Sequence, residues 1–113
     1  MLLDWFNCHR HSLVDRELKV HLKLFGVFRS AAGSGSIQLD LPTCTTVRMA
    51  IGQFASYPQY NEIKGMLFDS ETTDPRPNAL IMVSGREIGA LDGLETKLSE
   101  GDELSLLPIA HGG

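Results

Sequence analysis

Cysteine is scarce in this chain: Cys8 and Cys44 are the only two in 113 residues. Two thiols so far apart make no disulfide framework of the kind that staples small secreted domains, so a reducing, cytoplasmic location is expected. Long apolar runs are also missing. None approaches the roughly 20 residues that a membrane helix needs. Met1 to Phe6 carries an early acid, Asp4, and no basic residue, which makes a poor secretory signal. No membrane partner is expected. Positive charge is in deficit, with Lys+Arg 10 against Asp+Glu 14 and a net charge of −4. Binding a phosphate backbone needs a clustered basic face, so direct nucleic-acid binding is not expected, whereas docking on a basic protein partner is compatible with this charge.

Catalytic signatures are lacking too. Ser84, Ser99 and Ser105 have no G-x-S-x-G setting. Cys8 and Cys44 have no activating neighbour in sequence. Cys8, His9 and His11 are not matched by a second ligand pair, so no metal site is expected. Ala32-Gly33-Ser34-Gly35-Ser36 is glycine-rich but lacks the glycine-lysine-hydroxyl ending of a phosphate loop, and reads as a turn. The chain is expected to have no catalytic residue of its own and to bind no cofactor.

What remains is a soluble-type composition, 42% hydrophobic and 21% charged, in a length suited to one domain. Residues 1–16 fit no template and are expected to be an extension, disordered or loosely docked. From Glu17 the pattern sharpens. Leu18, Val20, Leu22 and Leu24 alternate with Lys19, His21 and Lys23, which predicts a half-buried strand with His21 on its polar face. Ile37, Leu39 and Leu41 alternate with Gln38 and Asp40, predicting a second strand and a hairpin between the two. Pro42 ends it. Thr45 or Thr46 then caps a helix whose apolar face is Val47, Ala50, Ile51 and Phe54, bounded by Pro58. Ile63, Met66, Leu67 and Phe68 suggest a short apolar turn or edge strand, and residues 69–78 an exposed loop.

Ala79 to Val83 is apolar throughout, although a helix on one face of a sheet covers only alternate side chains. An exposed apolar patch is therefore predicted on the open face, centred on Ile81 and Val83 or on their neighbours, with Phe25 and Leu107 beside it. Ser84-Gly85-Arg86 suits a tight turn, and Leu91 to Leu98 a short helical turn. Gly101-Asp102 is a turn before the last strand, Glu103 to Leu107. Pro108 has no N–H to donate and ends the ladder. Residues 109–113 are expected to project as a tail from a domain spanning residues 17–108.

That tail, Ile109-Ala110-His111-Gly112-Gly113, closes on a glycine pair that no following turn requires. Glycine is about 7% of average composition, so a pair at a given place arises by chance in about 0.5% of chains. Residues without a Cβ lie extended in a narrow channel without clashes. The expected role of Gly112 and Gly113 is that of a reactive terminus, with Ile109, Ala110 and His111 as the segment a partner reads.

The order of these elements resembles the ubiquitin-like β-grasp of sulfur carrier proteins. Leu24-Phe25-Gly26-Val27-Phe28-Arg29-Ser30-Ala31-Ala32-Gly33 resembles the opening of molybdopterin synthase small subunits, and Leu41-Pro42 followed by Thr46-Val47 their strand-to-helix junction. Leu80 to Arg86 is similar to their valine-asparagine-glycine strand, with Ser84 in the asparagine place. Gly93 to Leu98 and Glu100-Gly101-Asp102-Glu103-Leu104 resemble archaeal members. Pro108 is similar to the synthase subunit's tail. His111 before the glycines resembles the ubiquitin-related modifier and small archaeal modifiers, which serve tRNA thiolation and protein conjugation.

The resemblance implies an α+β domain, with a mixed sheet of about four to five strands packed on one main helix and a projecting tail. It also implies a modifier and sulfur carrier. An E1-like adenylyltransferase would use ATP and magnesium to adenylate Gly113. The activated carbonyl would then take sulfur from a sulfur donor, giving a thiocarboxylate, or pass to a lysine of a target protein. The alternative it implies is the small subunit of molybdopterin synthase, bound to the large subunit. Lys19, Lys23, Lys64 and Lys97 are ordinary exposed-type lysines, and the sequence selects none as a conjugation site.

Overall fold

The computed structural model describes residues 17–68 and 74–109. Strand β1 (Glu17–Leu24) leads into helix α1 (Gly26–Ala32), and β2 (Ser36–Pro42) returns beside β1. Helices α2 (Val47–Ala55) and α3 (Asn61–Leu67) follow, then β3 (Ala79–Val83), the two-residue β4 (Arg86–Glu87) and β5 (Glu103–Pro108). The strands form a single five-stranded sheet in the order β2-β1-β5-β3-β4. β1 and β5 run parallel in its middle, and the other pairs are antiparallel. This is the mixed β-grasp sheet that the resemblance implied.

Alternation decides which strand faces are covered. Val20, Leu22 and Leu24 of β1 are buried while Lys19, His21 and Lys23 are exposed. Leu39 and Leu41 of β2, Ile81 and Val83 of β3, and Leu104 and Leu106 of β5 join the same core. Against this face α2 lays Val47, Ala50, Ile51 and Phe54, all buried. Thr46 is its N-cap, with the hydroxyl accepting the Met49 N–H at 3.2 Å. Thr45 does not cap the helix; it is buried and donates to the Pro42 carbonyl at 2.6 Å. The Phe54 ring lies 4.5 Å from that of Tyr60, centroid to centroid. Between β3 and β4, Ser84 and Gly85 both take positive φ, 47° and 86°. A two-residue hairpin turn of the primed type requires this, because it matches the strand twist.

Two local expectations differ from what the fold contains. The β1–β2 connection is not a bare turn but carries α1, which buries only Phe28 and ends on Gly33 at φ 75°. One buried residue in a seven-residue helix leaves no periodicity to read. The Ile63–Phe68 segment is neither turn nor edge strand: Ile63 and Leu67, four apart, are the buried pair of α3. The longest helix, α2, shares this core with α1 and α3. Cys44 takes a φ of 69°; Cys8 lies outside the described residues.

The α2 cap and its core face separate in a stability measurement. Thr46→Ala should cost about 1 kcal/mol by urea unfolding, the value of one capping bond. Phe54→Ala should cost about 3–5 kcal/mol, because a buried aromatic leaves a cavity.

Candidate functional site

The site is built around the place where the chain leaves β5. Two flanking strands hold this strand end. On the β1 side, Leu24 pairs with Leu106, and the Phe25 N–H donates to the Leu106 carbonyl at 3.2 Å. On the β3 side, Ala79 pairs with Pro108, and the Ile109 N–H donates to the Asn78 carbonyl at 3.1 Å. Pro108 therefore does not release the chain at once. Ile109, expected to project without a partner, has its amide held; its side chain is 41% exposed. Ala110, His111, Gly112 and Gly113 lie outside the described residues.

Gly26 fits under this root for two reasons. Its φ is +58°, and a Cβ placed on it would sit 2.8 Å from Pro108 Cγ. A side chain there meets both backbone strain and a clash with the proline on which the tail starts.

Opposite Gly26, the segment before β3 is braced by charge. The Asp74 carboxylate accepts the Arg76 backbone N–H at 2.9 Å, Nε at 2.9 Å and Nη2 at 2.6 Å. The hydrogen bond from the Arg76 side chain, helped by the nearby positive charge, holds the Asp74 carboxyl below its usual value of 3.8. The N–H groups of Asn78 and Ala79 both donate to the Pro75 carbonyl at 3.0 Å, closing the turn that presents Asn78 to Ile109.

The open sheet face has two halves. Beside the tail root it is apolar: Phe25 is 42% and Leu80 39% exposed, with Leu107 and Met82 half-buried. Phe25 follows the residue paired with Leu106, and Leu107 pairs with Leu80, so the three lie side by side across β1, β5 and β3. Ile81 and Val83 are not part of this patch. They are 1% and 7% exposed, because register sets them beside Leu106 and Leu104, the β5 residues under the helices. Their neighbours Leu80 and Met82 take the open positions instead. Towards β2 the face turns polar, with Lys19, His21, Lys23, Gln38 and Asp40 exposed. Lys23 Nζ lies 2.9 Å from Glu103 Oε2, a half-exposed pair of small energetic weight.

The Ser84 hydroxyl donates to Asp102 Oδ1 at 3.0 Å and accepts the Glu103 N–H at 3.2 Å, bracing the β3–β4 turn. No group of three or more His, Cys, Asp or Glu is placed to hold a metal ion among the described residues. The described residues form a fixed root in mid-sheet with an apolar surface beside it. Sequence reasoning missed Gly26 and Asn78 as parts of this root. A glycine straight after a strand, and an asparagine after Pro75 and Pro77, were the available signals.

Comparison with known proteins agrees with this geometry. The model of the ThiS family matches residues 22–113. The chain is 29% identical over 96 residues to small archaeal modifier protein 3 of Haloferax volcanii, covering 85% of this chain and 100% of that protein. Among solved structures, small archaeal modifier protein 1 of Methanosarcina acetivorans superposes with a TM-score of 0.71 at 28% identity, covering 87% of this chain and 99% of that one. A putative molybdopterin converting factor subunit 1 of Pyrococcus furiosus gives a TM-score of 0.62 at 25% identity, covering 82% and 99%.

Two outcomes are expected at the root. Gly26→Ala should lower stability by about 1–3 kcal/mol in urea unfolding, above the few tenths typical of a surface change. Asp74 should add an acid limb to stability. Its folded-state pKa is lowered, so its contribution is complete above the unfolded value and is lost as pH falls through the folded one, below 3.8. Melting temperatures measured from pH 5 down to pH 2 should therefore converge for wild type and Asp74→Asn at the acid end; a gap that stays constant would contradict this assignment.

Proposed function

Since the chain belongs to the ThiS family of ubiquitin-like sulfur carriers and small modifiers, we propose that it is a protein modifier and sulfur carrier activated at Gly113 by an E1-like adenylyltransferase. One observation carries the reading. The family match runs through Gly112-Gly113, and the strand leading to that pair leaves mid-sheet beside the exposed Phe25–Leu107–Leu80 surface. A side-chain-free end suits a narrow adenylation site, and the apolar surface suits docking of the enzyme that owns that site.

The chemistry follows from the weakness of a carboxylate as an electrophile. A Gly113 carboxylate oxygen attacks the α-phosphorus of ATP, with magnesium held by the partner, and pyrophosphate leaves. In the resulting acyl-adenylate the carbonyl carbon is open to nucleophiles. Sulfur supplied at the oxidation level of sulfide by a donor protein displaces AMP and leaves a thiocarboxylate. A lysine amine displacing AMP leaves an isopeptide instead. Every catalytic group in these steps belongs to a partner, and this chain is the substrate rather than the enzyme. The need for ATP favours a cytoplasmic setting. His111, next to the pair, is assigned to recognition of the tail.

The second reading is the small subunit of molybdopterin synthase. It is favoured by the likeness to the Pyrococcus furiosus subunit and by the Phe25–Gly33 segment. Recovery of one stoichiometric large-subunit partner from cells supports it, whereas a ladder of lysine conjugates supports the modifier.

Incubation with ATP, magnesium, a sulfur donor and the E1-like enzyme of the same organism should replace one carboxylate oxygen by sulfur, read by intact mass. Deleting Gly112 and Gly113 should abolish the product. Leu80→Asp should leave the fold intact and raise KM for the carrier by about tenfold or more, as loss of an apolar contact at an interface does. Absence of any adenylate or thiocarboxylate on the wild-type chain would sink the proposal.

A further inference from the structure

We infer that Asn78 is a positioning residue for the reactive tail: it ties the first residue after β5 to the buried end of α3 and so fixes the point from which Gly113 is presented. The inference rests on the sulfur-carrier reading but has its own observable.

Three of the hydrogen bonds at Asn78 join it to described residues. Its backbone N–H donates to the Pro75 carbonyl at 3.0 Å, and its carbonyl accepts the Ile109 N–H at 3.1 Å. Its side-chain Nδ2 donates to the Leu67 carbonyl at 2.9 Å, in a partly buried setting. Leu67 is the last residue of α3, where helix carbonyls have no partner within the helix. The Leu67 side chain is itself buried in the core. A continuous line thus runs from the core through Leu67 and Asn78 to Ile109. The Phe25–Leu106 bond and the packing of Pro108 on Gly26 hold the other side of the same root.

The consequence for delivery is one of reach. From Ile109, four residues extend at most about 14 Å, since each adds about 3.4 Å. If Ile109 is released, the origin retreats towards Pro108, and each freed residue adds slack and conformers that the adenylation complex must order again. While the partner is docked on the apolar surface, a fixed origin keeps the effective concentration of the carboxylate at the ATP high. Loss of the fixed origin falls on the binding term, because the carboxylate and its reactivity are unchanged.

Asn78→Ala and Asn78→Asp both remove the donor to Leu67, the second with little change of size. Thr96→Ala serves as the control. Thr96 makes a comparable pair of bonds, accepting Asp92 N–H at 3.0 Å and donating to the Gly93 carbonyl at 2.7 Å. It pairs with the start of α2, past the Pro42 end of the sheet and away from the tail. Amide hydrogen exchange on the free proteins should show Ile109 exchanging about tenfold faster in both Asn78 variants, with little change in the control. With the E1-like enzyme, ATP–pyrophosphate exchange should show KM for the carrier raised about fivefold and kcat nearly unchanged, again not in the control. Ile109 protection and KM that match the control in both variants would overturn the inference. A wild-type chain that supports no pyrophosphate exchange counts against the sulfur-carrier reading, and the Ile109 amide still decides whether Asn78 holds the root.

Discussion

The parallel pairing of β1 with β5 is the constraint on which the rest depends. It joins His21 to Glu103 and Leu24 to Leu106, residues from opposite ends of the described chain. Leu22, Leu24, Leu104 and Leu106 are all fully buried along this seam. Its formation needs a long loop to close, so it is stable only because the helices and β3 cover the same leucines. Parallel strands end on the same side. Pro108 therefore emerges beside Phe25-Gly26, and the last strand has neighbours on both flanks rather than solvent on one. The position of the tail root, its support by Gly26 and the position of the apolar surface all follow from this direction of pairing.

The second determinant is that the helices cover one face only. Three helices and the strands' inward leucines share a single core, which leaves the opposite face to alternating residues that no described element covers fully. Over β1 and β2 those residues are lysines, a histidine, a glutamine and an aspartate, which are suited to water. Over β5 and β3 they are Leu107, Leu80 and Met82. A patch of that kind, placed where the chain leaves the fold, suits a docking enzyme better than a solvent boundary.

Much of this was legible in sequence wherever a period was long enough. The strand Leu18–Leu24, the α2 face from Val47 to Phe54 and the Ser84-Gly85 turn each carry a local physical rule. What was not legible depends on partners distant in sequence. The all-apolar run Ala79–Val83 has no internal alternation, so only its register with Leu104 and Leu106 decides that Ile81 and Val83 face the core and Leu80 faces out. Helix α1 buries one residue and α3 two, too few to stand above noise. Asn78 offered no signal beyond a turn, since its role appears only when Leu67 and Ile109 are brought to it from either side.

A reactive chain end needs opposite properties over a few residues. Its origin must be fixed, or the ordering of each loose residue is charged against every encounter with the partner. Its terminus must be bare, or side chains collide with the channel that surrounds it. Here the first demand is met by groups with strict geometry: a proline seated on a glycine at positive φ, and an amide held by Asn78. Under the proposed function, the second is met by Gly112-Gly113. Ile109 is where the two meet. Its backbone is bound to the fold while its side chain faces water, which leaves it available to a partner that reads the tail. On this reading the carrier's own contribution to the reaction is entropic. It lowers no chemical barrier, and it raises the rate by keeping one carboxylate within reach of an active site that another protein supplies.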